Sequence, residues 1–311
     1  MFRVGLVGCG GIGKTHMNNW KTIEGVSVEV VCDLNEEKAK AAGEQFNCRW
    51  TTDIADLGEL DAVSVATPPQ AHYSAVKKLL EAGYNVFSEK PLTLNVEEGK
   101  ELDALAKAKN LKLGVGFKMR FEPVFVKARE LLPEIGELMH ISTTKLQAFN
   151  PRPEGAWVKK TGAMYELSIH DFDLLAFITG RKFEKILFSR LNHRLGWEAD
   201  DGFTIAAEFE GGVVALLEGL YSDTCPFEYR DFCAVFSGTK GYMRVERPDR
   251  VVMHTGSTHH VVEVADDDKS AFYRELAHFK AVIEGKEELT LTAEKAINMT
   301  DLVESAKANS R

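Results

Sequence analysis

Phe2-Arg3-Val4-Gly5-Leu6-Val7-Gly8-Cys9-Gly10-Gly11-Ile12-Gly13 decides how the rest of the chain is read. A short apolar run, 2–7, breaks into glycines and resumes as a helix-like segment from Ile12 to Trp20. In such a strand–turn–helix unit Gly8 permits the tight turn, Gly10 lets backbone approach a pyrophosphate, and Gly13 lets the helix pack on the strand. Gly11 and Ile12 open the helix, whose first N–H groups favour an anion. A glycine-rich turn without a ligand has the same local sequence. Its place between strand and helix is what favours the phosphate reading.

Asp33 strengthens that reading. It ends a second apolar run, 26–32, and stands 20 residues beyond Gly13, where an acid accepts hydrogen bonds from adenosine ribose hydroxyls. The same carboxylate would repel a 2′-phosphate, and Leu34-Asn35-Glu36 offers no arginine to neutralise one. NAD is therefore expected over NADP. Asp33 also suits the N-cap of the next helix, a role compatible with the first.

Outward from this motif, apolar runs at 48–51, 61–66, 85–88 and 112–116 alternate with helical spacing over Glu36–Phe46, Ala71–Ala82 and Val96–Lys109. Six such strands with crossovers make a doubly wound parallel sheet. After Gly116 the pattern changes. Helices are expected near 121–132 and 163–179, the second stopping at Gly180. Strands follow at Glu137–Gln147, Phe183–His193, Phe203–Phe209, Val213–Leu220, Tyr229–Ser237 and Tyr242–Glu246, then helices at Ser270–Glu284 and Thr292–Lys307. This predicts two domains: an α/β domain over 1–119 and an α+β domain over 120–311 with a large, mostly antiparallel open sheet.

Composition narrows the partners. A net charge of −9, with no basic block interleaved with aromatics, repels nucleic acid. Met1 leads at once into a strand-like run, and no apolar stretch approaches the roughly 18 residues that span a bilayer, so a cytoplasmic protein without a membrane partner is expected. Cys9, Cys32, Cys48, Cys225 and Cys233 are odd in number and lack CxxC spacing, which reads as buried structural thiols, with no metal expected.

Two further segments carry chemistry. Thr67-Pro68-Pro69, followed by His72, places a proline-stiffened loop at the carboxyl edge of the fourth strand, where ligands bind in this architecture. His72 also suits a plain helix-start hydrogen bond. Glu89-Lys90-Pro91 ends the fifth strand at the same edge, where an ammonium can hydrogen-bond a substrate hydroxyl; a solvated surface pair has the same sequence. Farther on, Glu166, His170 and Asp173 fall at i, i+4 and i+7, one face of a helix, where a carboxylate raises the proton affinity of an imidazole and suits it to act as a base. An ordinary polar helix face remains the alternative.

Together the glycine loop, Thr67-Pro68-Pro69 with His72, Glu89-Lys90-Pro91, Gly116-Phe117 followed by Arg120-Phe121 and Pro123, and the histidine helix resemble the Gfo/Idh/MocA oxidoreductases, which include inositol and glucose dehydrogenases. The resemblance implies a Rossmann domain that binds NAD or NADP, with Thr67, Pro68, Pro69, His72, Glu89, Lys90 and Arg120 beside the cofactor. It implies Lys90 and His170 as the catalytic lysine and histidine, and a cis Lys90-Pro91 peptide. Glu166 departs from the family's usual aspartate, and Ser168 from a frequent glycine. Arg152, Trp157, Lys159 and Lys160, just before the histidine helix, are candidate substrate contacts, or an exposed basic loop.

The expected activity is hydride transfer between nicotinamide and a secondary alcohol of a sugar, cyclitol or related polyol. Two alternatives remain open at this stage: a redox-neutral sugar-processing enzyme with tightly held NAD, and a catalytically idle NAD-binding regulator. One open face of a broad sheet leads to an expected homodimer or homotetramer.

Overall fold

In the computed structural model, which describes residues 1–148, 157–222, 231–265 and 267–310, the strand β1 (Phe2–Val7) lies inside a six-stranded parallel sheet. Its companions are β2 (Val26–Cys32), β3 (Arg49–Thr51), β4 (Ala62–Val65), β5 (Val86–Glu89) and β6 (Leu113–Gly116), in the order β3-β2-β1-β4-β5-β6. Helices cover a parallel sheet on both faces, so its strands read as continuous apolar runs, and every residue of β4 is buried. The hydroxyl of Ser64 within that run accepts from Trp20 Nε1 at 2.9 Å. The crossover helices are α1 (Gly11–Trp20), α2 (Glu36–Phe46), α3 (His72–Glu81) and α4 (Val96–Ala108). Strand order reverses between β1 and β4, and the loops leaving these two strands open a crevice at the carboxyl edge.

Asn35 caps α2 by accepting from Lys38 N, and Asn95 caps α4 by accepting from Glu97 N and Glu98 N. The cap of α2 is thus Asn35; Asp33 is left for another role.

The chain forms two compact units, Met1–Lys118 with Lys269–Thr300, and Met119–Asp268 with Asp301–Arg311. The first break falls after Lys118, and the C-terminal tail is shared between the two units. The helix α8 (Ala271–Ile283) and the first half of α9 (Ala293–Ala308) fold onto the first unit. Their apolar faces explain this: Phe279 packs against Phe87 of β5, with ring centroids 5.2 Å apart, and Leu291 O accepts from Val115 N at 3.0 Å. Ser270 caps α8 and donates to Asn19 Oδ1 of α1 at 2.6 Å. Periodicity marks these helices as amphipathic without saying which sheet they cover.

The second unit is built on an eight-stranded sheet. Its strands are β7 (Leu138–Ala148), β8 (Phe183–Asn192), β9 (Gly202–Phe209), β10 (Val213–Ser222), β11 (Asp231–Gly238), β12 (Gly241–Glu246), β13 (Arg250–Thr255) and β14 (Thr258–Glu263), in the order β14-β13-β12-β11-β7-β10-β9-β8. Among the described residues the β7–β10 pair is parallel and the other strand pairs of this sheet are antiparallel. Burial alternates along β10 as one face is covered and the other left open, with Leu146, Leu216 and Tyr242 exposed. The sequence reading stops its strands at Glu246 and misses β13 and β14. The polar start of β14, Thr258-His259-His260, is exposed throughout and carries no apolar alternation.

The remaining helices are α5 (Pro123–Leu131), α6 (Val158–Ala163) and α7 (Ile169–Thr179), the last preceded by a π-helical turn at Met164–Ser168. The expected single helix over 163–179 is thereby corrected: its first turn is π, and α-helical geometry begins at Ile169. Gly180, at φ 67°, ends α7 as foreseen. Among the described residues no helix is long and apolar enough to cross a membrane. Cys9, Cys32, Cys48 and Cys233 are free thiols, while Cys225 lies outside the described residues.

Candidate active site

In the first unit the glycine turn is sterically compulsory. Gly8 has φ 100°, and a Cβ there would stand 2.7 Å from Ala66 backbone atoms; a Cβ on Gly13 would stand 1.9 Å from the Gly8 carbonyl oxygen. Gly10 is different. A Cβ on it meets nothing within 4 Å, so the turn leaves open space at the residue expected to face a pyrophosphate. Gly11 and Ile12 start α1, and both are exposed. Asp33 is tied to this turn: its Oδ2 accepts from Cys9 N at 2.8 Å and its Oδ1 from Asn35 N at 2.9 Å. The Cys9 thiol turns inward, and burial, helped by the Asp33 charge, pushes it up to about 12.

The loop after β4 and the turn after β5 are stapled by His72. Its Nδ1 lies 2.6 Å from Pro91 O and its Nε2 2.8 Å from Thr67 O. Burial pulls this imidazole below its ordinary value against the opposing effect of both carbonyls. His72 is buried within the first unit and holds the backbone of its neighbours. Pro68 is exposed, Pro69 buried, and Thr67 Oγ1 is a buried hydroxyl without a hydrogen-bond partner among the described residues. The Lys90-Pro91 peptide is cis, as the resemblance implied. Glu89 Oε2 accepts from the Lys90 amide at 3.2 Å and Glu89 Oε1 pairs with His16 Nε2 at 2.9 Å.

In the second unit, Glu166 lies in the π turn and His170 in the first turn of α7, with 5% and 2% of their surfaces exposed. Their i, i+4 spacing therefore runs out of a wider π turn, and the single α-helical face inferred from the sequence does not describe it; such turns recur at functional sites. Ser168 folds its hydroxyl back onto Met164 O at 2.6 Å. Asp173 is taken by Arg120, whose Nε donates to Asp173 Oδ2 at 2.7 Å while its second nitrogen pairs with Oδ1. Arg120, expected beside the cofactor, is paired with the histidine helix through this contact. Trp157 is half-buried and Lys159 and Lys160 are exposed, and Arg152 lies outside the described residues.

A model of the "Oxidoreductase family, NAD-binding Rossmann fold" matches residues 2–117, and a "GFO/IDH/MocA C-terminal domain" model matches residues 125–244. The chain belongs to the Gfo/Idh/MocA oxidoreductase family. Similar proteins include scyllo-inositol 2-dehydrogenase (NAD(+)) of Bacillus subtilis, 27% identical over 96% of this chain and 91% of the relative. Inositol 2-dehydrogenase of Rhizobium meliloti is 26% identical over 82% of this chain and 79% of its own. Among solved structures, UDP-N-acetylglucosamine 3-dehydrogenase of Acidithiobacillus ferrooxidans shares the fold with a TM-score of 0.88 at 22% identity, over 99% of this chain and 97% of that one.

This Gfo/Idh/MocA chain surrounds its histidine helix with charges that the sequence reading passed over. Lys145 of β7 and Asp171, next to His170, form an ion pair with both side chains fully buried. Lys145 Nζ also donates to Leu167 O, a carbonyl of the π turn, at 3.0 Å. Asp200 closes the start of that turn: its Oδ2 accepts from Met164 N at 2.7 Å and its main-chain O from Ala163 N at 2.9 Å. Burial raises the Asp200 carboxyl above its ordinary range, against the Met164 hydrogen bond and the Lys307 charge. A lysine inside an alternating strand is the one signal that could have exposed the pair, because position 145 falls on the buried face of β7.

Removing one member of a buried pair leaves an uncompensated charge, whereas replacing both with apolar residues restores much of the loss. Lys145→Met is expected to destabilise the protein by about 3–5 kcal/mol in urea unfolding, and Lys145→Met/Asp171→Leu to recover at least half of it. Equal stability of Lys145→Met and wild type would refute the anchoring role.

Proposed function

We propose that the chain is an NAD-dependent dehydrogenase that reversibly oxidises a secondary alcohol of a cyclitol, sugar or related polyol. The observation that carries this reading is the gathering, at one carboxyl edge of the first unit, of an open glycine turn, the Asp33 carboxylate and Lys90. The turn fits a dinucleotide: Gly10 leaves room for backbone approach, and the start of α1 presents N–H groups to an anion. Asp33 keeps acceptor capacity for ribose hydroxyls, since each carboxylate oxygen offers two lone-pair sites and each accepts one internal bond. The loop of Thr67 and the exposed Pro68 supplies a wall on the same edge.

The nicotinamide, when bound, supplies the acceptor or donor of the hydride. The remaining work falls to side chains. Lys90 hydrogen-bonds the substrate hydroxyl and favours its alkoxide, and His170 receives the hydroxyl proton. Glu166, in the π turn that leads into His170, is assigned as the third catalytic partner, orienting the imidazole. Trp157 and Lys159 are assigned to substrate contact, with Arg152 as a third. The inositol dehydrogenases among its relatives support a polyhydroxy substrate. The open face of the eight-stranded sheet, with Leu146, Leu216 and Tyr242 exposed, supports association into a homodimer or homotetramer.

Wild-type kcat/KM is expected to be higher with NAD than with NADP, and Asp33→Ser to shift the ratio towards NADP. An NADP advantage in the wild type, or an unchanged ratio in the variant, contradicts the assignment of Asp33.

Lys90→Ala and His170→Ala are each expected to lower kcat by about 10²–10⁴-fold, because proton transfer and hydroxyl positioning contribute on that scale. NAD affinity, read by fluorescence titration, should stay within a few-fold. A variant that keeps wild-type kcat on a polyol turned over by the native enzyme loses its assigned role.

A further inference from the structure

α1, β5 and α8 bring three titratable side chains together inside the first unit. His16, on the buried face of α1, lies with Nε2 2.9 Å from Glu89 Oε1, and Glu89 Oε2 accepts the Lys90 amide N–H at 3.2 Å. One ligand-capable atom from each of His16, Glu89 and Glu275 lies within 4.8 Å of the others. His16 and Glu275 are fully buried, and neither oxygen of Glu275 has a hydrogen-bond partner among the described residues. Aromatic rings close the surroundings, with Phe87 and Phe272 centroids 5.9 and 5.7 Å from the His16 ring. The cations that face the cluster are Lys118, whose ammonium sits 4.1 Å above the Phe272 ring, and Lys90, next to Glu89.

Two carboxyls this close in an apolar setting do not both ionise, and their environments decide which keeps the proton. Burial opposes charge on Glu89, but the His16 hydrogen bond and the neighbouring His16, Lys90 and Lys118 prevail and hold it below its ordinary value. Glu275 has no such bond. Burial drives it well above the carboxylate range, the Glu89 charge adds to that, and Lys118 opposes only in part.

We propose that His16, Glu89 and Glu275 form a buried proton-holding cluster in which Glu275 is the neutral acid, Glu89 the carboxylate, and the pinned Glu89 positions the main chain of Lys90. His16 and Glu275 are positioning residues, acting on Lys90 only through Glu89, and this part rests on the reading of Lys90 as the hydroxyl-activating residue. A neutral Glu275 leaves Glu89 free to direct one oxygen to His16 and the other to the Lys90 amide. An ionised Glu275 would force Glu89 to compete for a proton and loosen both bonds. The same three side chains could ligate a divalent ion, but His16 Nε2 already sits at hydrogen-bond distance from Glu89, and Lys118 already supplies positive charge.

The two readings predict opposite signs for Glu275→Gln in the full chain. A carboxyl whose folded pKa is raised contributes stability that is present below the ordinary carboxylate range and lost as pH rises through the folded value. Glutamine cannot ionise, so the Tm of Glu275→Gln minus that of wild type is expected to become more positive from about pH 4.5 upwards. Isotope-edited infrared spectra should show a protonated-carboxyl stretch in wild type at pH 7 that vanishes in the variant. For positioning, His16→Leu is expected to lower kcat by about 10- to 100-fold with KM and NAD affinity within a few-fold, and His16→Gln, whose amide can still donate to Glu89, to restore most of it. A stoichiometric divalent ion in the purified protein, lost together with stability in Glu275→Gln, would overturn the proposal, as would absence of the infrared band. Wild-type kcat in His16→Leu would overturn the positioning role. If Lys90→Ala also keeps wild-type kcat, the reading of Lys90 falls and positioning with it, while the infrared band and the sign of the Tm trend still decide where the proton sits.

Discussion

The contact between Gly13 and the Gly8 carbonyl is the constraint on which the first unit turns. A Cβ at Gly13 would sit 1.9 Å from that oxygen, so α1 can approach the end of β1 only because both positions are glycine. The approach fixes three things at once. It aims the start of α1 at the open space around Gly10, it lets Asp33 accept from the Cys9 amide, and it sets the buried face of α1, from which His16 meets Glu89. One steric condition at the first turn is thereby carried through a helix to the backbone of Lys90, which is 77 residues from Gly13 in sequence.

The second unit secures its histidine by charge. Lys145 with Asp171 and Arg120 with Asp173 grip α7 on either side of Phe172, while Asp200 holds the start of the π turn. Buried ion pairs of this kind add little net stability relative to apolar replacements, but they exact a large penalty when half-made. Their value here is geometric: each fixes one rotation or shift of the helix, so that a π turn, which loosens local hydrogen-bond geometry, still presents Glu166 and His170 in a defined register.

The parallel sheet was legible because its signals are local. Glycines at fixed offsets, an acid at the end of β2 and apolar runs bounded by turns sit within a few residues of what they build. Lys90 and its turn were legible for the same reason. What escaped depends on partners distant in sequence. Glu275 reads as an unremarkable acid on an amphipathic helix until α8 is known to cover the first unit. Lys145 has no visible partner in the sequence, because Asp171 lies on a helix that only the fold brings against the buried face of β7. The π turn escaped because Met164–Ser168 has no glycine or proline to announce it, and β14 because an edge strand with polar residues needs no apolar alternation.

In the proposed reaction a carbinol hydrogen leaves as a hydride while its hydroxyl proton is taken by the protein. A polyol that the enzyme turns over, deuterated at the carbon that becomes the carbonyl, tests this directly by mass spectrometry of the recovered cofactor. One deuterium per turnover is expected on the reduced nicotinamide, together with accumulation of the ketone. Deuterium released to solvent, or a dehydrated product with no net reduced cofactor, would contradict it.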